Sequence, residues 1–425
     1  MRKPATVSKI KLDENFWIRF SKKYWEKKSL VLKNIESNLL ELDEREVFKL
    51  VVSAADQSRR DRTPLGFKFF VNGYRSSEEE TLFVLPKKSD RTLIGYNERM
   101  ERIYQDYCLV CDELLQVNQD KQILLNQFTR QLYRRAGFPN RFTEMGLYLG
   151  NYRKTPFGVH IDRCGVFSFP VVGEKRFREW SSSYVKKNPD LERSFRYAKH
   201  KSSSTLLQAK PGDMTYWPST SWHIAESDGR FSATWSLGVW VDRPTRDVIG
   251  DQLISLLAQK MGSAVDATTI SATEFAGIDG QIFAIPKIFD QAISAFQKLS
   301  NAELEDSFRE IWMKQIAGHG MKTLAREPGQ FKIGTKLRLR NSASPILWTR
   351  LKAKHDRKNE TFAFCFGKSA VQTSQSLNLL KLIEALNSGQ TCLLKKYLRG
   401  TRSHPDFVVL QQLGDSGAFL KELKS

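Results

Sequence analysis

TPFGVHID, residues 155–162, and KPGDMTYWPSTSWHIAES, residues 210–227, are the stretches that decide the fold. Side chains alternate along an extended chain, so an HxD step aims His160 and Asp162 to one side. In the second stretch Gly212–Asp213 makes a tight turn, MTYWP is a short strand ended by Pro218, and His223 follows in a strand-rich region. A lone HxD carries little weight in a chain with six histidines. His223 alone reads first as a hydrogen-bonded structural histidine. Taken together, the three give a facial set of two imidazoles and one carboxylate. Such a set suits non-haem Fe(II) and leaves positions open for a bidentate cosubstrate and O2.

Around these stretches, from Arg141 to Pro244, short runs rich in aromatic and β-branched residues alternate with turns: MGLYLGNY, GVFSFPVV, KRFREW, STLLQAK, MTYWP and SATWSLGVWV. Strands at this spacing predict a sandwich or barrel. Residues 181–204, polar and basic, read as a surface excursion. Trp217, Trp222, Trp235 and Trp240 read as barrel core before they read as a stacking platform.

TPFGVHID, GEKRFREW (173–180) and PGDMTYWPSTSWH (211–223) resemble the JmjC/cupin-like Fe(II)- and 2-oxoglutarate-dependent oxygenases. The segment YWEKKSLVLKN (24–34) is similar to that family's entry segment, where a Pro commonly stands at the position of Ser29. The resemblance implies a mixed α and β fold with a double-stranded β-helix (jelly-roll/cupin) core. It also implies iron on His160, Asp162 and His223, with 2-oxoglutarate as cosubstrate and O2 as oxidant. Lys175, fifteen residues after His160, stands where many JmjC-type oxygenases place the cation for the distal carboxylate of 2-oxoglutarate. A compact ammonium in a dry barrel suits that dianion. Arg176 is the alternative, though alternation should send it to the other face. Thr155 and Tyr148 are candidates for hydroxyl bonds to the same carboxylate, and Thr234 and Ser236 for a similar part near the second His.

Further out, aromatics recur at helical intervals in 12–25, LVLKN reads as a buried strand, and Asp43 should cap a helix starting at Glu44. FKFFVNGY and TLFVLP read as strand-like, and roughly 96–137 as one long helical stretch that contains the Cys108–Cys111 pair. Those cysteines read as semi-buried helix residues, since no second pair follows at zinc spacing. Helical periodicity returns from 246 to about 325. The last module has strands TKLRLRNS, ILWTRLKA and TFAFCFG, helices SLNLLKLIEALNSG and CLLKKYL, and a closing DFVVLQQL. The expected domains are 1–140 (α/β elements packing on the barrel), 141–245 (barrel core), 246–328 (helical linker or dimerisation region) and 329–425 (winged-helix-like). This layout resembles the ribosomal-oxygenase branch, which hydroxylates ribosomal proteins.

Lys plus Arg number 67 against 47 Asp plus Glu, a net +20. Seventeen basic and six acidic residues fall between 331 and 425. Such an excess attracts acidic partners. The last module is therefore expected to bind an anionic partner, first of all an acidic stretch of a protein or peptide substrate. Nucleic acid remains open as a partner, as does a homodimer. Three functions stand: hydroxylation of a protein or peptide side chain (a ribosomal protein or a biosynthetic peptide precursor), a nucleic-acid-directed oxygenase, and a non-enzymatic cupin-type binding protein. No apolar run approaches the ~20 residues of a membrane span, and no secretory h-region follows the basic N-terminus. A cytoplasmic, membrane-free protein is the expectation.

Overall fold

The computed structural model describes residues 9–36, 43–112, 114–266, 268–270, 285–318, 331–342, 344–356, 359–367, 369–374, 377–399 and 404–421. They divide into two compact units, one ending at Asp242 and one formed by Arg243–Gly318 with the residues from Phe331 on. No described helix is long and apolar enough to cross a membrane.

The first unit begins with α1 (Glu14–Lys23), whose Asp13 cap accepts from the Phe16 backbone N–H at 2.8 Å. Strand β1 (Leu30–Leu32) and helix α2 (Glu44–Asp61) follow, and Asp43 caps α2 through the Glu46 N–H at 2.7 Å. Next come β2 (Phe67–Val71), β3 (Tyr74–Arg75), α3 (Glu78–Val84), α4 (Leu93–Glu101), β4 (Tyr107–Cys111) and α5 (Gln119–Ala136). The barrel strands are β5 (Thr143–Gly150), β6 (Cys164–Val172), β7 (Lys175–Trp180), β8 (Thr205–Ala209), β9 (Met214–Trp217), β10 (Trp222–Glu226) and β11 (Ser232–Trp240). Helix α6 (Ser182–Lys187) lies between β7 and β8.

Two antiparallel sheets result, an eight-stranded one in the order β1-β9-β6-β11-β5-β4-β2-β3 and a three-stranded one, β10-β7-β8. Alternation sorts the large sheet into two faces. Leu147, Leu149, Phe167, Phe169, Trp235 and Leu237 point to the outer core, where they pack with Trp17, Phe20 and Phe128 of α1 and α5. The other face, Glu144, Gly146, Tyr148, Thr234, Ser236 and Gly238, looks into the barrel.

Several expectations need correction. TLFVLP is not a strand: Ser77 caps α3 through the Glu80 N–H, and three glutamates fill the first turn. The expected helix over 96–137 is two helices with β4 between them, so Cys108 and Cys111 sit on a strand. Five consecutive buried residues with no polar face fit a central strand as well as a helix, and pairing with β2 and β5 decides the matter. Both thiols are free and buried, and burial pushes Cys108 up to about 12, which keeps it protonated. LVLKN is only half-buried, because β1 is an edge strand. The 181–204 segment is more than a surface excursion. Val185, Leu191 and Tyr197 pack with Trp180, Val159 and Ile224 in a core of their own.

The second unit contains α7 (Thr245–Met261), α8 (Lys287–Gln297) and α9 (Asn301–Gly318). These are followed by β12 (Lys336–Leu339), β13 (Leu347–Asp356), β14 (Asn359–Phe366), β15 (Ser369–Ser374), α10 (Leu377–Asn387), β16 (Cys392–Leu393), α11 (Pro405–Asp415) and β17 (Phe419–Lys421). Strands β13-β14-β15 form one sheet and β16-β12-β17 another. CLLKKYL is β16 and one 3-10 turn rather than a helix, since Leu337 and Lys336 pair with Cys392 and Leu393. DFVVLQQL is helical, within α11. The stretch from 319 to 330, the tail of the expected helical region, lies outside the described residues.

Candidate metal centre and its pocket

His160 is not part of a regular strand. It forms an isolated antiparallel bridge with His223 of β10, with reciprocal backbone bonds of 2.9 and 2.8 Å. Directly opposed residues of an antiparallel pair present their side chains on one face. The two imidazoles accordingly lie with ring centroids 4.4 Å apart. Asp162, two residues on, returns to the same side before Arg163 turns the chain with a φ of +58°. One Asp162 oxygen lies 3.3 Å from His160 Nε2 and the other 3.2 Å from His223 Nε2. The three donor atoms fall within 4.8 Å of one another, a set that could hold a metal ion.

Both histidines are oriented from behind. His160 Nδ1 lies 2.9 Å from the Gly158 carbonyl and His223 Nδ1 3.2 Å from that of Ser221. A carbonyl can only accept, so each Nδ1 carries the proton and each Nε2 keeps its lone pair for the centre.

The supports come from distant parts of the unit. Val159 exchanges backbone bonds with Arg193 and Ser194 of the inserted segment (2.8 and 3.1 Å), which brings the Arg193 carbonyl against Gly158 at φ +67°. No side chain fits there. The turn before His223 is held by two carboxylates. Glu26 accepts from the Ser219 backbone N–H at 3.1 Å, and Glu179 accepts from Ser221 Oγ at 3.2 Å. The Ser29 hydroxyl, at the position where the resembled family commonly has Pro, also donates to Glu179.

Lys175 opens β7, whose register places Lys175, Phe177 and Glu179 on the same face as Ala225 and His223. It is only 2 % exposed and donates to the Tyr152 hydroxyl, with its ammonium 4.3 Å from the Tyr152 ring centre. Among the described residues no carboxylate pairs with it. Burial therefore lowers its pKa from 10.5 to about 8. Arg176 takes the opposite face, 3.8 Å from Glu174.

Lys175 and the three metal-capable residues line one pocket, together with Thr155, Tyr148, Thr234 and Ser236. The hydroxyls of Thr155 and Thr234 are buried without a partner. Burial pushes the Tyr148 phenol well up, so it stays protonated. Trp235 is core, and Trp222 packs under the insert, whereas Trp217 and Trp240 line the pocket. Trp217 lies 5.0 Å from His223. Sequence reasoning missed Tyr152 and two pocket carboxylates, Asp112 and Glu144. Glu144 was findable, because it shares a face of β5 with Gly146 and Tyr148. Asp112 was hidden by the misread strand β4.

The donor set fits Fe(II), and the buried uncompensated ammonium and orphaned hydroxyls fit a carboxylate-bearing cosubstrate. Residues 123–246 match the JmjC domain family model. No curated protein matches the sequence. Solved structures of Escherichia coli ycfD have the same fold. An X-ray structure aligns over 96 % of this chain and 98 % of that one, with TM-score 0.53 and 14 % identity. A crystal structure described as the ribosomal oxygenase YcfD gives TM-score 0.51 at the same coverage and identity. The YcfD complex with cobalt and 2-oxoglutarate gives 0.53, again at 14 % identity and the same coverage. Residues 123–246 are thus a JmjC-type domain, the fold around them is that of the ycfD structures, and their two-His, one-Asp set could hold a metal ion.

Proposed function

We propose that His160, Asp162 and His223 hold the iron, that Lys175 with Thr155 and Tyr148 receives the distal carboxylate of 2-oxoglutarate, and that the enzyme hydroxylates a side chain of a protein or peptide. The observation that carries this reading is the pairing of a convergent two-His, one-Asp set with a buried cation that has no acidic partner, in one pocket. When bound, Fe(II) with 2-oxoglutarate and O2 supplies an oxidative decarboxylation to succinate and CO2, coupled to oxygen insertion at a C–H bond.

The chain's residues bind, orient and exclude water. Both histidines keep Nε2 unprotonated because the Gly158 and Ser221 carbonyls hold their Nδ1 protons. Lys175 keeps its place through Tyr152 and is covered by Phe177. Trp217 and Phe177 form an apolar wall beside His223.

A ribosomal protein is the favoured substrate, in line with the ribosomal oxygenase named for the structural relatives. The pocket lining favours a cationic target side chain. Asp112 and Glu144 both line it, and neither is among the metal-capable residues. Asp112 already meets Lys68 at 2.5 Å, and Glu144 accepts from Trp240 Nε1 at 3.1 Å. These fixed carboxylates can meet a guanidinium or ammonium. The test is succinate release by the purified, Fe(II)-loaded full-length protein, screened against ribosomal proteins, acidic and basic peptides, and tRNA. Stimulation by a basic protein segment is expected. Stimulation by tRNA alone would sink the protein-substrate reading in favour of a nucleic-acid-directed oxygenase.

A further inference from the structure

The second unit concentrates positive charge on one small sheet. The stretches 331–342, 388–399 and 416–421, which contain β12, β16 and β17, hold eight Lys or Arg and no Asp or Glu. Arg340 donates to the Gly417 carbonyl and Lys421 lies over the Phe331 ring, so these two serve the fold. The remaining six, Lys332, Lys336, Arg338, Lys395, Lys396 and Arg399, are all exposed. None makes an ion pair among the described residues.

The backbone brings the six together. Lys336 and Arg338 alternate with buried Leu337 and Leu339 on β12, so both project from its open face. The Lys332–Thr335 turn and the 3-10 turn carrying Lys395 and Lys396 are joined by the Leu394 N–H to the Thr335 carbonyl at 3.0 Å, and Lys336 stands opposite Leu393. Unpaired like charges held this close repel one another, an arrangement that a polyanion relieves.

We propose that this face of the β16-β12-β17 sheet docks the phosphate backbone of RNA. Peptide-recognition surfaces need pockets for side chains as well as charge. Here the exposed residues are the cations themselves and small polar side chains, with Ile333 the one large apolar group exposed in these stretches. Phosphate recognition asks only for cations and carries no sequence information. No exposed aromatic lies in the three stretches to stack on a base. The choice of RNA over DNA rests on the reading of a ribosomal protein as substrate, since such a target is met on RNA. The two charge patterns then address the two components of one particle: carboxylates in the pocket for a cationic side chain, and cations on this sheet for phosphates.

The test uses the full-length protein and fluorescence anisotropy with a labelled single-stranded RNA, a DNA strand of the same sequence and a poly-glutamate peptide, across a salt series. Six phosphate contacts predict a log–log salt slope of about −4, or roughly 250-fold weaker RNA binding between 50 and 200 mM salt. The quadruple variant Lys336→Glu, Arg338→Glu, Lys395→Glu, Lys396→Glu should lower the slope by about 3 and weaken binding at least ~30-fold at 100 mM. A control with the same change in net charge, Lys22→Glu, Lys23→Glu, Lys186→Glu, Lys187→Glu, should stay within about threefold. All eight positions are exposed, and circular dichroism checks that both proteins are folded. Because the contacts are to phosphate alone, the DNA probe should bind with a similar salt dependence. Equal losses in the two variants, or poly-glutamate binding in place of RNA, would each overturn the proposal. Succinate release on a free protein substrate is measured separately, so loss of RNA docking leaves the oxygenase reading standing.

Discussion

Replacing Lys175 by Met should stabilise the protein and abolish tight cosubstrate binding at once. The ammonium is buried without an acidic partner, and its pKa falls from 10.5 to about 8. At about 1.36 kcal/mol per pH unit this amounts to a burial cost of about 3 kcal/mol near neutrality. Loss of the bond to Tyr152 returns about 1 kcal/mol, which leaves a net gain of about 2 kcal/mol for Lys175→Met at pH 7. The folded pKa lies below the unfolded one, so the cost is full below pH 8 and is relieved as pH rises from 8 towards 10.5. At pH 9.5 the gain should therefore shrink by about 2 kcal/mol. Urea midpoints at the two pH values measure it. The same ammonium is what a dicarboxylate needs. Removing one partner of a buried charge pair costs about 3 kcal/mol, so the dissociation constant for 2-oxoglutarate should rise on the order of 100-fold. In the wild type, a pKa of about 8 predicts roughly tenfold weaker binding at pH 9 than at pH 7, while Lys175→Arg should lose that pH dependence. Calorimetry with the Co(II)-loaded protein under nitrogen reads both effects. A destabilised Lys175→Met variant that still binds 2-oxoglutarate would refute the reasoning, as would pH-independent wild-type binding.

Asp162→Ala should remove Co(II) binding, followed by its visible absorption, while circular dichroism of the barrel stays unchanged; retained stoichiometric binding would exclude the three-residue centre. Glu144→Gln combined with Asp112→Asn should raise KM for a basic protein substrate about tenfold or more and leave the 2-oxoglutarate dissociation constant within about twofold, because charge-assisted bonds contribute about 1.5–3 kcal/mol. Equal loss for neutral and basic substrates would count against a cationic target. Helix α8 exposes Phe289, Ile293 and Phe296 along one stripe, and a second copy of the chain is the expected cover. Sedimentation should show a dimer that Phe289→Glu with Phe296→Glu converts to monomer, and a wild-type monomer at micromolar concentration would rule this out.

The parts of the site that were legible in the sequence are those written in local spacing. His160 and Asp162 share a side because alternation acts over two residues, and Lys175 is fixed inward by the same rule applied to β7. Caps are equally local, and Asp43 is found where its carboxylate could reach the Glu46 N–H. What escaped depends on register between distant segments. Tyr152 meets Lys175 because the chain leaving β5 bridges β10 at Lys154 and Glu226, and Glu226 stands opposite Arg176 of β7; β4, beside β5, carries five buried residues with no amphipathic pattern to separate strand from helix. Misreading that one strand hid both the burial of Cys108 and the inward position of Asp112, which follows directly on it. The inserted segment misled in a different way. Its charge reads as solvent-facing, yet a few apolar residues, Val185, Leu191 and Tyr197, are enough to bind it back onto the HxD loop. Its backbone bonds to Val159 then set the path of the chain into His160, so composition described its surface while the sparse apolar positions decided its role.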